Sequence, residues 1–243
     1  MGPTAAATSA RSEPRYPAGM TVLVRSQGDV ATLQLDRPKK AHAYDRALLL
    51  ELQAAIRGLS ASVVVVGSTG QRAFCGGADL NVMKDADPLA PLDLLSQKVF
   101  DELARHPAVS VCAVQGAAIA GGCELALACD LRVVGPRARF QLPETGLGII
   151  PSAGGCTRAA KLLGPSRAKA MILGGRSVSA AEAVDWGLAL EQAEDPWARA
   201  LELAASLAER DPVALRLAKQ VIDGVDGLGA ERIAEALLYH RKG

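Results

Sequence analysis

The chain has 243 residues, enough for one large domain or two small ones, and 49% of them are hydrophobic while only 3% are aromatic, so its core is aliphatic and alanine-rich. A formal net charge of +1 gives no electrostatic ground for binding nucleic acid or an anionic membrane surface. No apolar run reaches the ~20 residues that span a bilayer, and the five cysteines (Cys75, Cys112, Cys123, Cys129, Cys156) show no C-x-x-C spacing, which reads as reduced thiols in a cytoplasmic protein.

Residues 1–19 are rich in Ala, Ser, Thr and Pro, lack the apolar core of a signal peptide, and read as a flexible tail. Two strands are expected at Thr21–Arg25 and Val30–Leu35, with a hairpin turn over Ser26–Asp29. Asp45 is placed to cap a helix whose apolar face is Leu48, Leu52 and Ile56. Val63–Val66 is apolar on both faces, as in a buried sheet. It is followed by Arg72-Ala73-Phe74-Cys75-Gly76-Gly77-Ala78-Asp79-Leu80, which offers an exposed amide at Gly76. A helix from about Pro91 to Arg105 leads to the apolar strand Val109–Val114.

That strand feeds Gly116-Ala117-Ala118-Ile119-Ala120-Gly121-Gly122-Cys123-Glu124-Leu125, from which an alanine-rich helix runs from about Gly122 to Cys129. Paired glycines at a strand-to-helix junction let a ligand approach bare N–H groups at the positive end of the helix dipole. Glu124 lies in the first turn, beside whatever oxygen those amides hold. Leu131–Val134 is a further strand, and Phe140–Gly148 brings a second carboxylate, Glu144, on a loop set by proline and glycine. After Pro151 the pattern turns helical: Gly155–Leu163, Ser166–Leu173, Ala180–Trp186 behind a Ser179/Glu182 capping box, Trp197–Glu209, and Pro212–Asp223 capped by Asp211. Strands in front and helices behind indicate an α/β fold. Two amides and two carboxylates suit acid–base chemistry on an activated carbonyl compound.

Three segments, Phe74-Cys75-Gly76-Gly77-Ala78-Asp79, Gly121-Gly122-Cys123-Glu124-Leu125 and Phe140-x-x-Pro143-Glu144, in that order and each after a strand, resemble the enoyl-CoA hydratase/isomerase (crotonase) superfamily. The resemblance runs from roughly Thr21 to Gln220 and is to the hydratase-like branch. It implies a spiral of β-β-α units over residues 20–190, carrying CoA-ester binding and catalysis, and a helical trimerisation region over 191–243. It implies that the backbone N–H groups of Gly76 and Gly121 form the oxyanion hole for an acyl-CoA thioester, that Glu124 and Glu144 are catalytic, and that Ala43, Gly76, Gly77, Ala78, Asp79 and Gly121 line the CoA-ester site. The implied reaction is reversible addition of water across the 2,3 double bond of a 2-enoyl-CoA, giving a 3-hydroxyacyl-CoA in fatty acid metabolism. No metal and no cofactor beyond the substrate's own CoA are implied. Double-bond isomerisation, or acyl-CoA binding by a non-catalytic scaffold, are the alternatives. A homotrimer, or a hexamer made as a dimer of trimers, is the implied assembly, with Leu201/Ala204/Leu207 and Ile233/Leu237/Leu238 as candidate interface faces.

Several side chains carry two readings. Asp79 and Asp130 read as structural carboxylates, and Arg37, Lys39 and Lys40 either meet the CoA phosphates or form a solvated loop. His42 stands where the family usually has Asn, and either alters that pocket wall or is structural. The chain stops at Tyr239-His240-Arg241-Lys242-Gly243 without the family's usual ending, so its last helix is expected to be missing or replaced. Ile150-Pro151-Ser152-Ala153-Gly154 lacks the first glycine of a nucleophile elbow, and His42, His106 and His240 have no metal-ligand spacing.

Overall fold

A computed structural model of the chain describes residues 20–79, 94–224 and 227–242. The expected tail over 1–19 and the start of the helix expected from Pro91 lie outside the described residues. Strands β1 (Val22–Gln27) and β2 (Val30–Leu35) pair antiparallel, from Val22↔Leu35 to Gln27↔Val30. The turn is therefore only Gly28-Asp29, with Gly28 at φ 58°, a left-handed backbone that a two-residue hairpin requires. The first strand thus runs two residues past its expected end. Next comes α1 (Arg46–Arg57), capped by Asp45, whose carboxylate accepts from the Leu48 N–H at 3.0 Å.

Three β-β-α units follow. Each places its first strand in a large sheet and its second, shorter strand in a small one. The units are β3 (Val63–Ser68), β4 (Ala73–Cys75) and α2 (Leu95–Arg105); β5 (Val109–Val114), β6 (Ala117–Ile119) and α3 (Gly121–Ala128); and β7 (Leu131–Val134), β8 (Arg139–Gln141) and α4 (Gly155–Ile172). Helix α4 is broken at Gly164 (φ 75°, ψ 162°), which separates the two helices expected there. The chain continues through β9 (Val178–Ser179), α5 (Ala180–Asp185), β10 (Glu191–Gln192), α6 (Pro196–Ala208), α7 (Pro212–Asp223) and α8 (Gly227–Lys242). The large sheet has the order β1-β2-β3-β5-β7-β10 and the small sheet β4-β6-β8-β9. β2, β3, β5, β7 and β10 run parallel, as do β4, β6 and β8. This is the spiral that the resemblance implied.

The valine runs lie in the middle because both of their faces are covered. Side chains alternate across a strand. Val64, Val66, Cys112, Val114 and Val134 join the main core with the helices and the small sheet. Val63, Val65, Val111, Ala113 and Val133 face the other way, onto Ala200 and Ala204 of α6. Gly67 leaves room for the Trp197 ring, since a Cβ there would come within 2.7 Å of it.

Three expectations are corrected. Leu201, Ala204 and Leu207 pack against the large sheet within the chain, so they are not the unpartnered apolar face expected. Because β10 and α6 belong to the sheet layers, residue 191 does not mark the start of a separate helical region. A terminal helix is present: α8 lies against α7, with Ile233, Leu237 and Tyr239 exposed.

Candidate active site

Helix α3 does not leave strand β5 directly, because β6 intervenes. Ala120 caps it at φ 50°, a left-handed backbone that costs a non-glycine residue on the order of 1–3 kcal/mol, and its N–H donates to the Gln141 carbonyl at 2.9 Å. Gly121 and Gly122 are not needed for the turn, since neither has positive φ. They are needed for close approach. A Cβ on Gly122 would collide with the Cys75 carbonyl oxygen, and a Cβ on Gly121 would collide with the Tyr44 hydroxyl. The N-terminus of α3 is thereby pressed onto the end of β4 and onto residue 44.

The loop after β4 is tied to the same place. Tyr44 N–H donates to the Gly77 carbonyl and Asp79 N–H to the Tyr44 carbonyl, each at 2.8 Å. Gly77 has φ 88°, and a Cβ on it would come within 3.2 Å of the Gly121 nitrogen. Gly76 does not leave its amide open, because it donates to the Ala41 carbonyl at 2.9 Å. The expectation that Gly76 supplies a free donor is corrected on that ground. Among the described residues, the N–H of Ala78 has no such partner. Ala78 follows Gly77, the residue that packs against the start of α3.

Charged groups fix the surrounding loop. Asp79 is buried and pairs with Lys40 Nζ at 2.7 Å and Arg37 at 3.7 Å. Arg37 also pairs with Asp45 at 3.0 Å and donates to the Ala43 carbonyl at 2.7 Å. Arg37 and Lys40 are therefore engaged with protein carboxylates rather than forming a simple solvated loop. His42 is buried, takes φ 55°, and its Nδ1 accepts from the Arg37 N–H at 3.1 Å. Burial lowers its pKa and keeps it neutral, so its role here is to hold the loop. Asp130 is structural too: one oxygen accepts from Ser110 N–H at 2.7 Å and from the nearly buried Lys219 Nζ at 2.7 Å.

Glu124 and Glu144 are 3% and 6% exposed, which is unusual for carboxyl groups and sets up their chemistry. Glu124 Oε1 accepts from the N–H groups of Ala153 at 2.7 Å and Gly155 at 2.8 Å, at the start of α4. That anchoring uses one oxygen and leaves the other for chemistry. Burial raises the Glu124 pKa, while the two amides and the nearby Arg158 oppose the rise. Glu144 opens a short 3-10 turn, Glu144–Leu147, pinned by the Thr145 hydroxyl donating to the Ile172 carbonyl at 2.6 Å. Its Oε2 is buried with no hydrogen-bond partner among the described residues. Burial chiefly, and the Glu124 charge secondarily, push the Glu144 pKa up to about 7. Two adjacent carboxyl groups with different supports are suited to opposite proton-transfer roles.

The cysteines take no part in this chemistry. Burial pushes the Cys75 thiol up to about 12 and the Cys123 thiol up as well, so neither is a thiolate nucleophile near neutral pH. Among the described residues no cluster of three His, Cys, Asp or Glu side chains is arranged to hold a metal ion. None of their helices is long and apolar enough to cross a membrane.

The structure brings together Gly77, Ala78, Gly121, Glu124 and Glu144. Sequence reasoning missed the open amide of Ala78, the hydroxyl of Tyr44 and the amides of Ala153 and Gly155. The Pro151-Ser152-Ala153-Gly154-Gly155 run was the available signal for the last pair, because glycines ahead of a helix offer free N–H groups.

The family model described as enoyl-CoA hydratase/isomerase matches residues 25–227. The 2,3-dehydroadipyl-CoA hydratase of Escherichia coli is 39% identical over 207 residues, covering 83% of this chain and 81% of its own. An enoyl-CoA hydratase from Bacillus anthracis superposes with a TM-score of 0.87 at 33% identity, over 91% of this chain and 92% of the other. A Thermobifida fusca structure in complex with acetoacetyl-CoA superposes with a TM-score of 0.83 at 28% identity, over 91% and 95%.

Proposed function

The chain belongs to the enoyl-CoA hydratase/isomerase family, and from that premise we propose that it is an enoyl-CoA hydratase, a hydro-lyase that adds water reversibly across the 2,3 double bond of a 2-enoyl-CoA to give a 3-hydroxyacyl-CoA. The observation that carries this reading is the pair of buried, differently supported carboxyl groups beside the open amides of α3 and of the loop after β4.

The thioester oxygen accepts from the N–H groups of Gly121 and Ala78. Charge builds on that oxygen as water adds to the β-carbon, and fixed amides stabilise it without reorganising. Glu124, held by the amides of Ala153 and Gly155, uses its second oxygen to take a proton from the attacking water. Glu144, with its pKa near neutrality, delivers a proton from its unpartnered Oε2 to the α-carbon. In dehydration the same groups exchange these duties. Isomerisation needs only one carboxyl group to move a proton along the acyl chain, so the presence of both favours hydration. A scaffold that merely binds acyl-CoA has no need of a buried acid–base pair.

The substrate's CoA is the only CoA required, no metal is invoked, and the setting is the cytoplasm and fatty acid metabolism. The exposed Ile222, Ile233, Leu237 and Tyr239 of α7 and α8 support assembly as a homotrimer or a dimer of trimers. The reading is tested by following loss of the enoyl-thioester absorbance of crotonyl-CoA. Glu124→Gln should lower turnover by ~10²-fold or more, the range for a lost positioned base. Near-normal turnover in the folded variant would remove Glu124 from the mechanism.

A further inference from the structure

Among the described residues Tyr44 is the one phenol at this site, and neither the motifs nor the mechanism above uses its hydroxyl. Its oxygen lies where the first side-chain atom of residue 121 would otherwise be. In a helix the Cα–Cβ direction leans toward the N-terminus. The hydroxyl therefore stands at the N-terminal end of α3, against Gly121. The residue is 8% exposed, and its ring meets Phe100 edge-on, with centroids 5.8 Å apart and planes at 87°. Its backbone is bonded on both sides to the loop that carries Ala78. The phenol is thus fixed to both pieces of backbone that hold the thioester oxygen.

Resting on the hydratase reading, we propose that Tyr44 is a further catalytic residue: its O–H donates to the thioester oxygen beside the Gly121 N–H, as a side-chain member of the oxyanion site. Glycine at 121 is then required because it makes room for this donor. Burial, with the charges of Glu124 and Glu144 adding to it, pushes the phenol pKa well above its ordinary value, so the group keeps its proton throughout the working pH range. A neutral phenol in a dry site suits an oxygen whose charge grows only as the reaction proceeds.

The test is Tyr44→Phe, which keeps the ring and its packing on Phe100 and removes only the hydroxyl. Crotonyl-CoA hydration by wild type and variant is measured together with binding of acetoacetyl-CoA, followed by its enolate absorbance. With thermal melting unchanged, kcat should fall by roughly 10²-fold, the lower end for loss of one oxyanion donor. The bound enolate fraction should fall with it, a readout that mere packing would not move. Wild-type kcat or an unchanged enolate fraction in the folded variant overturns the proposal. A wild-type protein that hydrates no enoyl-CoA overturns the hydratase reading instead, so the two failures are distinct. Should Tyr44→Phe not fold, Tyr44→Met, which also removes the hydroxyl while keeping an apolar side chain of comparable length, decides: a kcat loss of roughly 10²-fold or more with a lower enolate fraction is expected, and wild-type values reject the donor role.

Discussion

Replacing Glu144 by glutamine separates the burial of this side chain from its charge. Its carboxyl is 6% exposed, and burial lifts its pKa from an ordinary 4.5 to about 7. At roughly 1.4 kcal/mol per pH unit, that rise means the ionised folded form costs about 3 kcal/mol of stability. The sign follows from linkage. Between pH 4.5 and 7 the unfolded chain has lost this proton and the folded chain has kept it. Stability therefore falls as pH rises through that window, and levels off above it. Glutamine cannot ionise, so the variant escapes this loss. Its stability relative to wild type should improve by about 2.5 kcal/mol between pH 5 and pH 8.5. For a chain of this size that is a relative gain of roughly 5–10 °C in melting temperature. Urea melts of both proteins at the two pH values measure it, and any pH-independent effect of the amide cancels in the comparison. Hydration by the variant should be ~10²-fold slower, and the alkaline fall in wild-type turnover near pH 7 should vanish from the residual activity. A stability difference that is the same at both pH values would refute the assignment of a buried, protonated Glu144.

Gly121→Ala should lower both melting temperature and turnover, because its methyl collides with the Tyr44 hydroxyl and comes within 2.7 Å of the ring carbon that bears it. In a Tyr44→Phe background the same substitution should cost less, by on the order of 1 kcal/mol, since contacting residues couple; equal costs in both backgrounds would contradict the contact. Light scattering at micromolar concentration should give three or six times the chain mass of 25.2 kDa, and a monomer would show that α7 and α8 do not mediate assembly.

Local signals carried much of the architecture. Val63–Val66 and Val109–Val114 are long enough for two-sided apolarity to mark buried parallel strands; the second occurs as read and the first runs on to Ser68. Asp45, Ser179 and Asp211 accept hydrogen bonds from N–H groups only two or three residues ahead, so those helix starts are visible in sequence and present in the structure. The order of the three glycine- and glutamate-bearing segments was sufficient to indicate the family. The small sheet was invisible because its strands are two or three residues long, too short to show a period of two. An apolar stripe such as Leu201/Ala204/Leu207 likewise reveals that a helix buries one face, but not whether the partner is its own sheet or another chain.

The candidate site divides along the same line. That Glu124 opens a helix behind two glycines is a property of adjacent residues. Which of its oxygens is free is set by Ala153 and Gly155, far along the chain, whose amides reach it only when α4 closes over α3. That a glycine pair follows Cys75 is written in the sequence. Whether Gly76 or Ala78 presents an open N–H depends on the carbonyl of Ala41, which becomes a partner only when the loop before α1 folds against the end of β4. The raised pKa of Glu144 arises from the desolvation produced by those same long-range contacts. Residue type and spacing determined which groups this chain could bring to an acyl thioester; tertiary packing decided which of their atoms remain unpaired, because a hydrogen-bonding group is available only where nothing else in the folded chain has taken it.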